Sequence, residues 1–396
     1  MTTAHGEPVA YPFNEDAGLE ISEAYSAARE TAGMVRIQMP YGEPAWLATR
    51  YADARLVLRD QRFSRAMAYE RDSPRLIEHI SPGDILSMDP PDHTRLRTLV
   101  AKAFTMRRVE LLRPRVARLA DELIDGLRQH GQPADLVDLY ALPIPVAVIC
   151  ELLGVPVADR PQFRKWSDVA LSTSKMTVEE AEGNIGELRE YFAGLIAERR
   201  AEPQDDLITA LIEARDVQDR LTEREMLDLC MILLVGGHET TASQIPNFVY
   251  TLLGQREQWD RLCADPSLIP AAVEELLRFV PLGFGALFPR YAVADVEVGD
   301  VVVRKGEAVV VAPAAANRDA LEFSAPDDLR FDREDDHHLA FGHGVHHCIG
   351  APLARLELQE ALRALTREMP GLHVAGDIGW KTETLVRGPY VMPVGW

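Results

Sequence analysis

Cys348 lies in the run Phe341-Gly342-His343-Gly344-Val345-His346-His347-Cys348-Ile349-Gly350, directly ahead of a segment with helical apolar spacing at Ala351, Leu353, Ala354, Leu356, Leu358 and Leu362. A thiolate ahead of a helix is stabilised by the helix dipole and by the unpaired backbone N–H groups of the first turn. Gly344 and Gly350 allow the backbone to turn tightly around the sulfur, and Phe341 offers a flat apolar wall. These features suit a soft metal held by one sulfur beside a large flat ring. Two plainer readings compete. An isolated Cys before a helix is most often a buried small hydrophobe. His337, His338, His343, His346 and His347 crowd the same Cys, which raises zinc, but neither Cys-x-x-Cys nor His-Glu-x-x-His occurs.

A second constellation lies mid-chain. Residues 229–237, Leu-Cys-Met-Ile-Leu-Leu-Val-Gly-Gly, are apolar nearly all round, the mark of a helix buried at the centre of a protein. Within it comes Gly236-Gly237-His238-Glu239-Thr240-Thr241. Two glycines inside a helix cost roughly 1 kcal/mol each relative to Ala. A hydroxyl four residues after Gly236 can bond its carbonyl and bend the helix, opening a groove for a small molecule such as O₂ or water. The alternative is a plain kinked core helix with Glu239 turned to solvent. A third pair, Glu275 and Arg278, sits three apart on one helical face; most such pairs are solvated and contribute less than ~1 kcal/mol.

The elements that must position these groups follow from periodicity. Residues 20–32 suggest a short helix, and 35–39 and 45–49 two strands; 60–90 form a long irregular loop. Asp89-Pro90-Pro91 has the form of an N-cap followed by proline in the first turn. Helices are expected near 92–104, 107–129, 158–173, 178–201, 222–254, 267–279 and 350–368, with interruptions at Pro143, Pro145 and Pro156. Residues 286–312 turn to β character, 313–347 are irregular, and the tail is again strand-like. The fold class is mainly α with small β-sheets.

Composition bounds the function. The chain has 396 residues, 47% hydrophobic, ample for a large core. With a formal net charge of −20, wholesale binding to nucleic acid or to an anionic membrane is excluded as a main function. Cys150, Cys230 and Cys263 show no framework spacing, and Cys150 and Cys230 sit in apolar runs as core thiols; a reducing, cytoplasmic compartment fits. The N-terminal residues carry no apolar run, so neither signal peptide nor membrane anchor is expected.

The two runs together resemble the cytochrome P-450 family. Its haem-loop pattern is Phe, two residues, Gly, one residue, His or Arg, one residue, Cys, one residue, Gly, and Phe341, Gly344, His346, Cys348 and Gly350 fill every fixed position. Its oxygen-activation pattern is Ala or Gly, Gly, any residue, an acid, Thr, matched from Gly236 to Thr240. Its Glu-x-x-Arg is matched by Glu275 and Arg278. The resemblance runs from about residue 30 to the C-terminus and implies one P-450 domain over 1–396. It implies haem b (iron protoporphyrin IX) with Cys348 as the iron ligand. A thiolate ligand pushes electron density to iron and favours O–O cleavage. It further implies propionates met by His93, Arg97, Arg290 and His346, a cofactor loop of Phe341, Gly344 and Gly350, and catalytic roles for Thr240 in oxygen activation and Glu239 in proton relay. His238 takes no role. Glu275 and Arg278 would form a buried ion network with a third basic residue, Arg330 or Arg333.

The activity implied is a haem-thiolate monooxygenase that inserts one oxygen atom of O₂ into a C–H or C=C bond of a large apolar natural product, a macrolide or polyketide in antibiotic biosynthesis. The resemblance to actinobacterial members rests on Pro-Tyr-Gly-Glu-Pro-Ala-Trp-Leu, Gly-His-Glu-Thr-Thr and His-Gly-Val-His-His-Cys-Ile-Gly-Ala. Terpenoid or steroid hydroxylation is the alternative. A non-catalytic haem sensor or carrier would need the Cys loop but not the Glu-Thr pair, and peroxide-driven members typically lack that pair. Substrate contacts would come from Met67, Ile80, Ile85, Leu86, Leu171, Met176, Leu233, Leu234, Leu282, Phe284, Leu287, Leu385 and Val386, an apolar pocket under a lid. Glu70, Asp72, Glu78 and Asp84 would either meet a cationic amino sugar or be solvated. No Gly-x-Gly-x-x-Gly or Cys₄ iron–sulfur spacing marks a fused reductase, so a ferredoxin and its reductase would bring electrons from NAD(P)H. Residues 93–118 carry eight basic residues against one acid, Glu110, a docking surface for an acidic ferredoxin. A monomer is expected.

Overall fold

The structure, a computed structural model, describes residues 7–14, 18–31, 33–78, 85–159, 162, 166, 178–218, 220–283, 288–334, 337–382 and 384–396. The chain forms two compact units, residues 1–91 with 274–348, and residues 92–273 with 349–396.

The first unit is built on a mixed six-stranded sheet in the order Val9–Ala10, Met34–Gln38, Ala45–Ala48, Ala308–Val311, Arg290–Ala292, Phe63–Ser64. Side chains alternate across it with the two-residue period of a strand. Trp46, Ala48, Val309 and Val311 enter one buried cluster with Tyr51, Ala54 and Val57 of the Tyr51–Arg59 helix. Ala45, Leu47, Ala308 and Val310 enter another with Tyr25 and Ala28 of the Glu23–Thr31 helix. With both faces covered, Ala45–Ala48 is buried at every position, which is why its sequence is uniformly apolar.

Asp89 departs from the expected cap of the following helix. Its carboxylate accepts from the Ser64 hydroxyl (2.5 Å) and the Arg65 amide (3.0 Å), so it closes the start of the 3₁₀ turn Ala66–Tyr69. The Tyr51–Arg59 helix was not expected, because a nine-residue segment of mixed periodicity leaves a weak signal.

The irregular stretch after Ala316 is organised by charge rather than by a ladder. Glu275 accepts two bonds from Arg278 (2.7 and 2.8 Å) and two from Arg333 Nε (3.1 and 3.2 Å), all three side chains being buried. Arg278 also donates to the carbonyls of Asn317, Pro326 and Asp328, and Arg333 to those of Ser324, Ala325 and Asp328. Arg333 is therefore the third basic residue. Arg330 gives Glu275 only its backbone amide (2.9 Å), and its side chain turns to Asp332.

The second unit surrounds the helix Glu223–Gly254. A reciprocal capping box starts it: Thr222 Oγ1 accepts from the Glu225 amide, and the Glu225 carboxylate accepts from the Thr222 amide. The helices Pro143–Leu153, Val178–Ala201 and Ala351–Glu368 pack against it. Pro143 and Pro145 do not interrupt a helix but open one, where a missing N–H costs nothing. Ala351–Glu368 lies along Met106–His130, tied by Arg113–Glu360, Asp121–Arg367 and Arg128–Glu368. Partners advance in the same direction along both helices, so the two run parallel. Small sheets come from Ala134–Asp135 with the tail strands, and from the hairpin Gly379–Trp380 with Pro389–Val391. The helix expected at 158–173 falls mostly outside the described residues.

Breaking a buried ion pair by removing one partner typically costs about 3–5 kcal/mol, because the other charge is left uncompensated. Glu275→Ala leaves two buried guanidinium groups without their carboxylate. Its thermal midpoint should fall far below that of Arg330→Ala, measured by circular dichroism, since Arg330 contributes only main chain.

Candidate functional site

In the first unit, the Cys348 loop is closed on itself. The Cys348 amide donates to the Phe341 carbonyl (2.9 Å) and the His347 amide to Gly344 (3.0 Å). Two glycines take left-handed backbone, Gly342 (φ +70°) and Gly344 (φ +73°); a Cβ at Gly344 would lie 2.6 Å from the Leu58 carbonyl oxygen. Gly350 was expected to share this duty, but its φ of −80° is ordinary and its place is the N-cap of Ala351–Glu368. His346 sits in the 3₁₀ turn Gly344–His346, and Phe341 is half-buried. Cys348 is exposed, whereas Cys150 and Cys230 are buried as core thiols, Cys230 being pushed up to about 12 by burial.

The histidines do not converge. His337 binds Glu322 (2.6 Å), His338 binds Glu274 (3.2 Å) and His343 lies 3.5 Å from Arg55. Among the described residues no group of three or more His, Cys, Asp or Glu is placed to hold a metal ion.

Arg290 occupies the strand Arg290–Ala292 and is 4% exposed. Its guanidinium donates a long hydrogen bond to the Phe288 carbonyl (3.5 Å), and no ion pair reaches it among the described residues. Burial pulls it down to about 9, and the neighbouring Arg65 adds to the effect while Asp89 opposes it. Arg65, which sequence reasoning passed over, is itself buried, with its guanidinium 4.4 Å above the ring of Phe288, a residue at φ +62°. A buried cation in this state calls for an anion, and a carboxylate-bearing cofactor held at the exposed Cys348 sulfur would meet that demand. The residues present therefore fit haem.

In the second unit, His93 and Arg97 stand four apart on the helix Asp92–Ala101, His93 buried and Arg97 half-buried. The helix Glu223–Gly254 runs without a break through Gly236-Gly237-His238-Glu239-Thr240, and the Thr240 hydroxyl donates to the Gly236 carbonyl at 3.2 Å, as its spacing predicts. The glycines divide two tasks. A Cβ at Gly237 would lie 2.7 Å from Ile149 Cδ1, so close helix packing requires its absence; a Cβ at Gly236 would meet nothing within 4 Å. His238 Nδ1–H donates to the Leu234 carbonyl (2.7 Å), and burial lowers its pKa, so it is neutral near pH 7.

Glu239 is not turned to solvent. It is buried and ion-paired with Lys381, whose ammonium also donates to the Ser243 hydroxyl (3.0 Å). Lys381 has no signal in its local sequence. Glu357 was also missed, although a carboxylate in the apolar run Leu356-Glu357-Leu358 is a visible anomaly. It is fully buried and pushed up to about 8 by burial. Thr241 comes near enough to oppose the shift slightly, yet neither carboxyl oxygen gains a well-formed hydrogen bond.

Of the substrate contacts read from the sequence, Ile80, Leu171, Met176, Phe284 and Leu287 lie outside the described residues, as does Asp84. Asp72 is engaged by Arg75 (2.6 Å), which fits a solvated loop charge rather than a ligand contact.

The cytochrome P450 family model matches residues 159–368. The chain is 51% identical over 399 residues to mycinamicin IV hydroxylase/epoxidase of Micromonospora griseorubida, covering 100% of both chains. It is 49% identical to nocardicin C N-oxygenase of Nocardia uniformis subsp. tsuyamanensis, covering 98% of both. A solved structure of a variant of the mixed-function P450 MycG in complex with mycinamicin IV superposes with a TM-score of 0.92 at 50% identity, covering 98% of this chain and 100% of that one.

Glu357 should leave a mark on stability. Its pKa is raised on folding, so it binds its proton more tightly in the native state than in the unfolded chain. Its contribution is complete below the ordinary carboxylate range and is lost as pH rises toward about 8. Glu357→Gln is neutral at every pH and escapes that loss. The variant's thermal midpoint should gain on the parent steadily between pH 5 and 8; a constant difference across that window would contradict a neutral buried Glu357.

Proposed function

The chain belongs to the cytochrome P450 family, and on that premise we propose that it hydroxylates or epoxidises a large apolar natural product, a macrolide or related polyketide, in antibiotic biosynthesis. The observation that carries the substrate class is the 51% identity, over the whole of both chains, with a mycinamicin hydroxylase/epoxidase. Hydroxylation balances as one substrate C–H, one O₂, two electrons and two protons giving one alcohol and one water.

Members of this family are monooxygenases that use haem b. Haem, when bound, supplies the activation of dioxygen. In this chain the Cys348 thiolate would ligate its iron, and His93, Arg97, Arg290 and His346 would meet its propionates, with Phe341 and Gly344 shaping the loop. What supports Arg290 is its burial with no ion pair among the described residues, Asp89 acting on it only at a distance. Thr240, its hydroxyl held at the Gly236 carbonyl, would orient the proton donor, and Glu239 would pass protons inward. Leu233, Leu234, Leu385 and Val386 would line the apolar side of the substrate site. The two units would act as one catalytic domain, monomeric and cytoplasmic. Among the described residues no helix is long and apolar enough to cross a membrane.

Electrons come from redox partners, which for this chain we take to be a ferredoxin and its NAD(P)H-dependent reductase. The basic run 93–118 is smaller as a surface than as a count. Arg95 pairs with Glu225, Arg113 with Glu110 and Glu360, and Arg115 with Glu151. Lys102, Arg107 and Arg108 stay exposed, next to Met106, which is 61% exposed. The helix register supports this cluster as the docking point. Arg113 meets Glu360, so seven residues back along both parallel helices Met106 is level with Leu353, five residues after Cys348 in the chain.

The first test is spectroscopic. Cys348→Ser should abolish the thiolate signature of the ferrous–carbon monoxide complex, while Cys150→Ser, Cys230→Ser and Cys263→Ser keep it. A normal spectrum in Cys348→Ser would end the haem-thiolate reading.

The second concerns docking. Lys102→Glu combined with Arg108→Glu should slow reduction by an acidic ferredoxin roughly tenfold at low salt, since complementary charge acts mainly on the association rate. The deficit should shrink as the Debye length falls below ~10 Å, its value at 0.1 M salt. Substrate-induced spectral shifts should be unchanged. Stopped-flow rates equal to the parent's at low salt would place docking elsewhere.

A further inference from the structure

The tail hairpin is fastened to the central helix by polar contacts spaced along one face. Lys381 Nζ meets Glu239 and Ser243, and the Asn247 amide donates to the Arg387 carbonyl (3.0 Å). The Tyr250 ring packs edge-on against Trp380 at 5.0 Å. Positions 239, 243, 247 and 250 share one stripe of a helix. Gly388 comes so close that a Cβ there would lie 2.9 Å from Asn247 Oδ1, and the Lys381 amide donates back to the Gly388 carbonyl (2.9 Å), closing the turn between them. That turn carries Leu385 and Val386.

Lys381 is the cation of this stripe. Its side chain is 18% exposed and that of Glu239 7%, so the pair lies where charge is costly without a partner. Among the described residues, the charged and titratable groups that face Glu239 are Lys381 and the neutral His238. Ser243 supplies a hydroxyl to both members, at 3.0 Å from Lys381 and 3.5 Å from Glu239.

We propose that Lys381 is a positioning residue for proton delivery: it holds the Glu239 carboxylate against Ser243, one residue from Thr240, and fixes that acid in register with the turn bearing Leu385 and Val386. The inference rests on the reading of Glu239 as the relay acid. Its consequence is a mechanical link. A substrate that presses on Leu385 or Val386 acts on Glu239 through the Lys381 ion pair, so the acid is set for use when the apolar site is filled.

The test combines Lys381→Met, Lys381→Arg, Glu239→Gln and the double variant Lys381→Met/Glu239→Gln, all as holoenzymes. The first readout is product formed per reductant consumed. Lys381→Met should lower it roughly tenfold, within the range for coupled neighbours in one ion-pair network. Lys381→Arg should recover most of it, and the double variant should be no worse than Glu239→Gln. The second readout is infrared absorption without turnover. A buried carboxylate stripped of its counter-charge takes up a proton, so Lys381→Met should gain a protonated-carboxyl band that is missing from the double variant. Where Lys381→Met does not fold, Lys381→Gln carries the same expectations. Additive losses in the double variant, or parental coupling in Lys381→Met while Glu239→Gln is uncoupled, overturn the proposal. Parental coupling in Glu239→Gln overturns the relay reading instead; the positioning role then stands if the infrared band is present and falls if it is not.

Discussion

The buried carboxylate of Glu275 is the interaction on which the thiolate loop depends. It neutralises Arg278 and Arg333, and these two cations gather the carbonyls of Asn317, Ser324, Ala325, Pro326 and Asp328 from a stretch with almost no regular structure. A buried carbonyl without a donor is expensive, and an irregular segment has many of them. Two guanidinium groups, with five donors each, satisfy what a ladder would otherwise have to. The network then reaches the loop itself. Asn317, whose carbonyl accepts from Arg278, gives its side-chain oxygen to the Leu339 amide (2.7 Å), and the Leu339 carbonyl accepts from Gly342 (2.9 Å). From there the chain has six residues to Cys348. The position of the sulfur is thus inherited from a carboxylate more than seventy residues earlier in the chain.

Such a network is costly to desolvate, and apolar packing of similar volume would often be as stable. What charge supplies here is directionality. Apolar contact tolerates sliding, whereas an Arg fork bound to a carboxylate on one side and to several carbonyls on the other admits one arrangement. A loop that, as proposed, presents one sulfur to one ring would have use for that.

Legibility in the sequence followed distance along the chain. The bond from Thr240 to Gly236 is local, four residues on a helix, and could be read from spacing. The pairing of Glu275 with Arg278 is three residues apart and equally visible. Arg330 and Arg333 could not be told apart, because in an irregular segment no periodicity says which side chain points inward; the backbone turned Arg330 out and used only its amide. Lys381 sits 142 residues from Glu239, in a hairpin whose register the sequence does not specify, so nothing nearby announced it. Asp89 was misplaced for a related reason. An acid before Pro-Pro looks like a cap for the next helix, yet the amide it satisfies at Arg65 belongs to a turn 24 residues earlier. Resemblance to a family supplied what locality could not, namely the roles of residues far apart in the chain.

The helix Glu223–Gly254 shows how incompatible demands are met on one element. Burial asks for an apolar surface all round. Close approach of Pro143–Leu153 asks for a missing side chain at Gly237, where Ile149 presses in, while Gly236 leaves room on the side where a Cβ would touch nothing. The proposed proton relay would ask for an acid beside Thr240, the group that burial tolerates least. Glu357 shows the outcome for a buried acid that no cation reaches among the described residues: it is pushed up to about 8 and stays neutral near pH 7, a carboxyl that holds its proton. Glu239 sits in comparable burial but has Lys381, whose four-carbon stem lets a charge from the tail hairpin reach an otherwise apolar helix. The two acids thus differ in one lysine: Glu239 is ion-paired with Lys381, whereas Glu357 is held in its protonated form by burial.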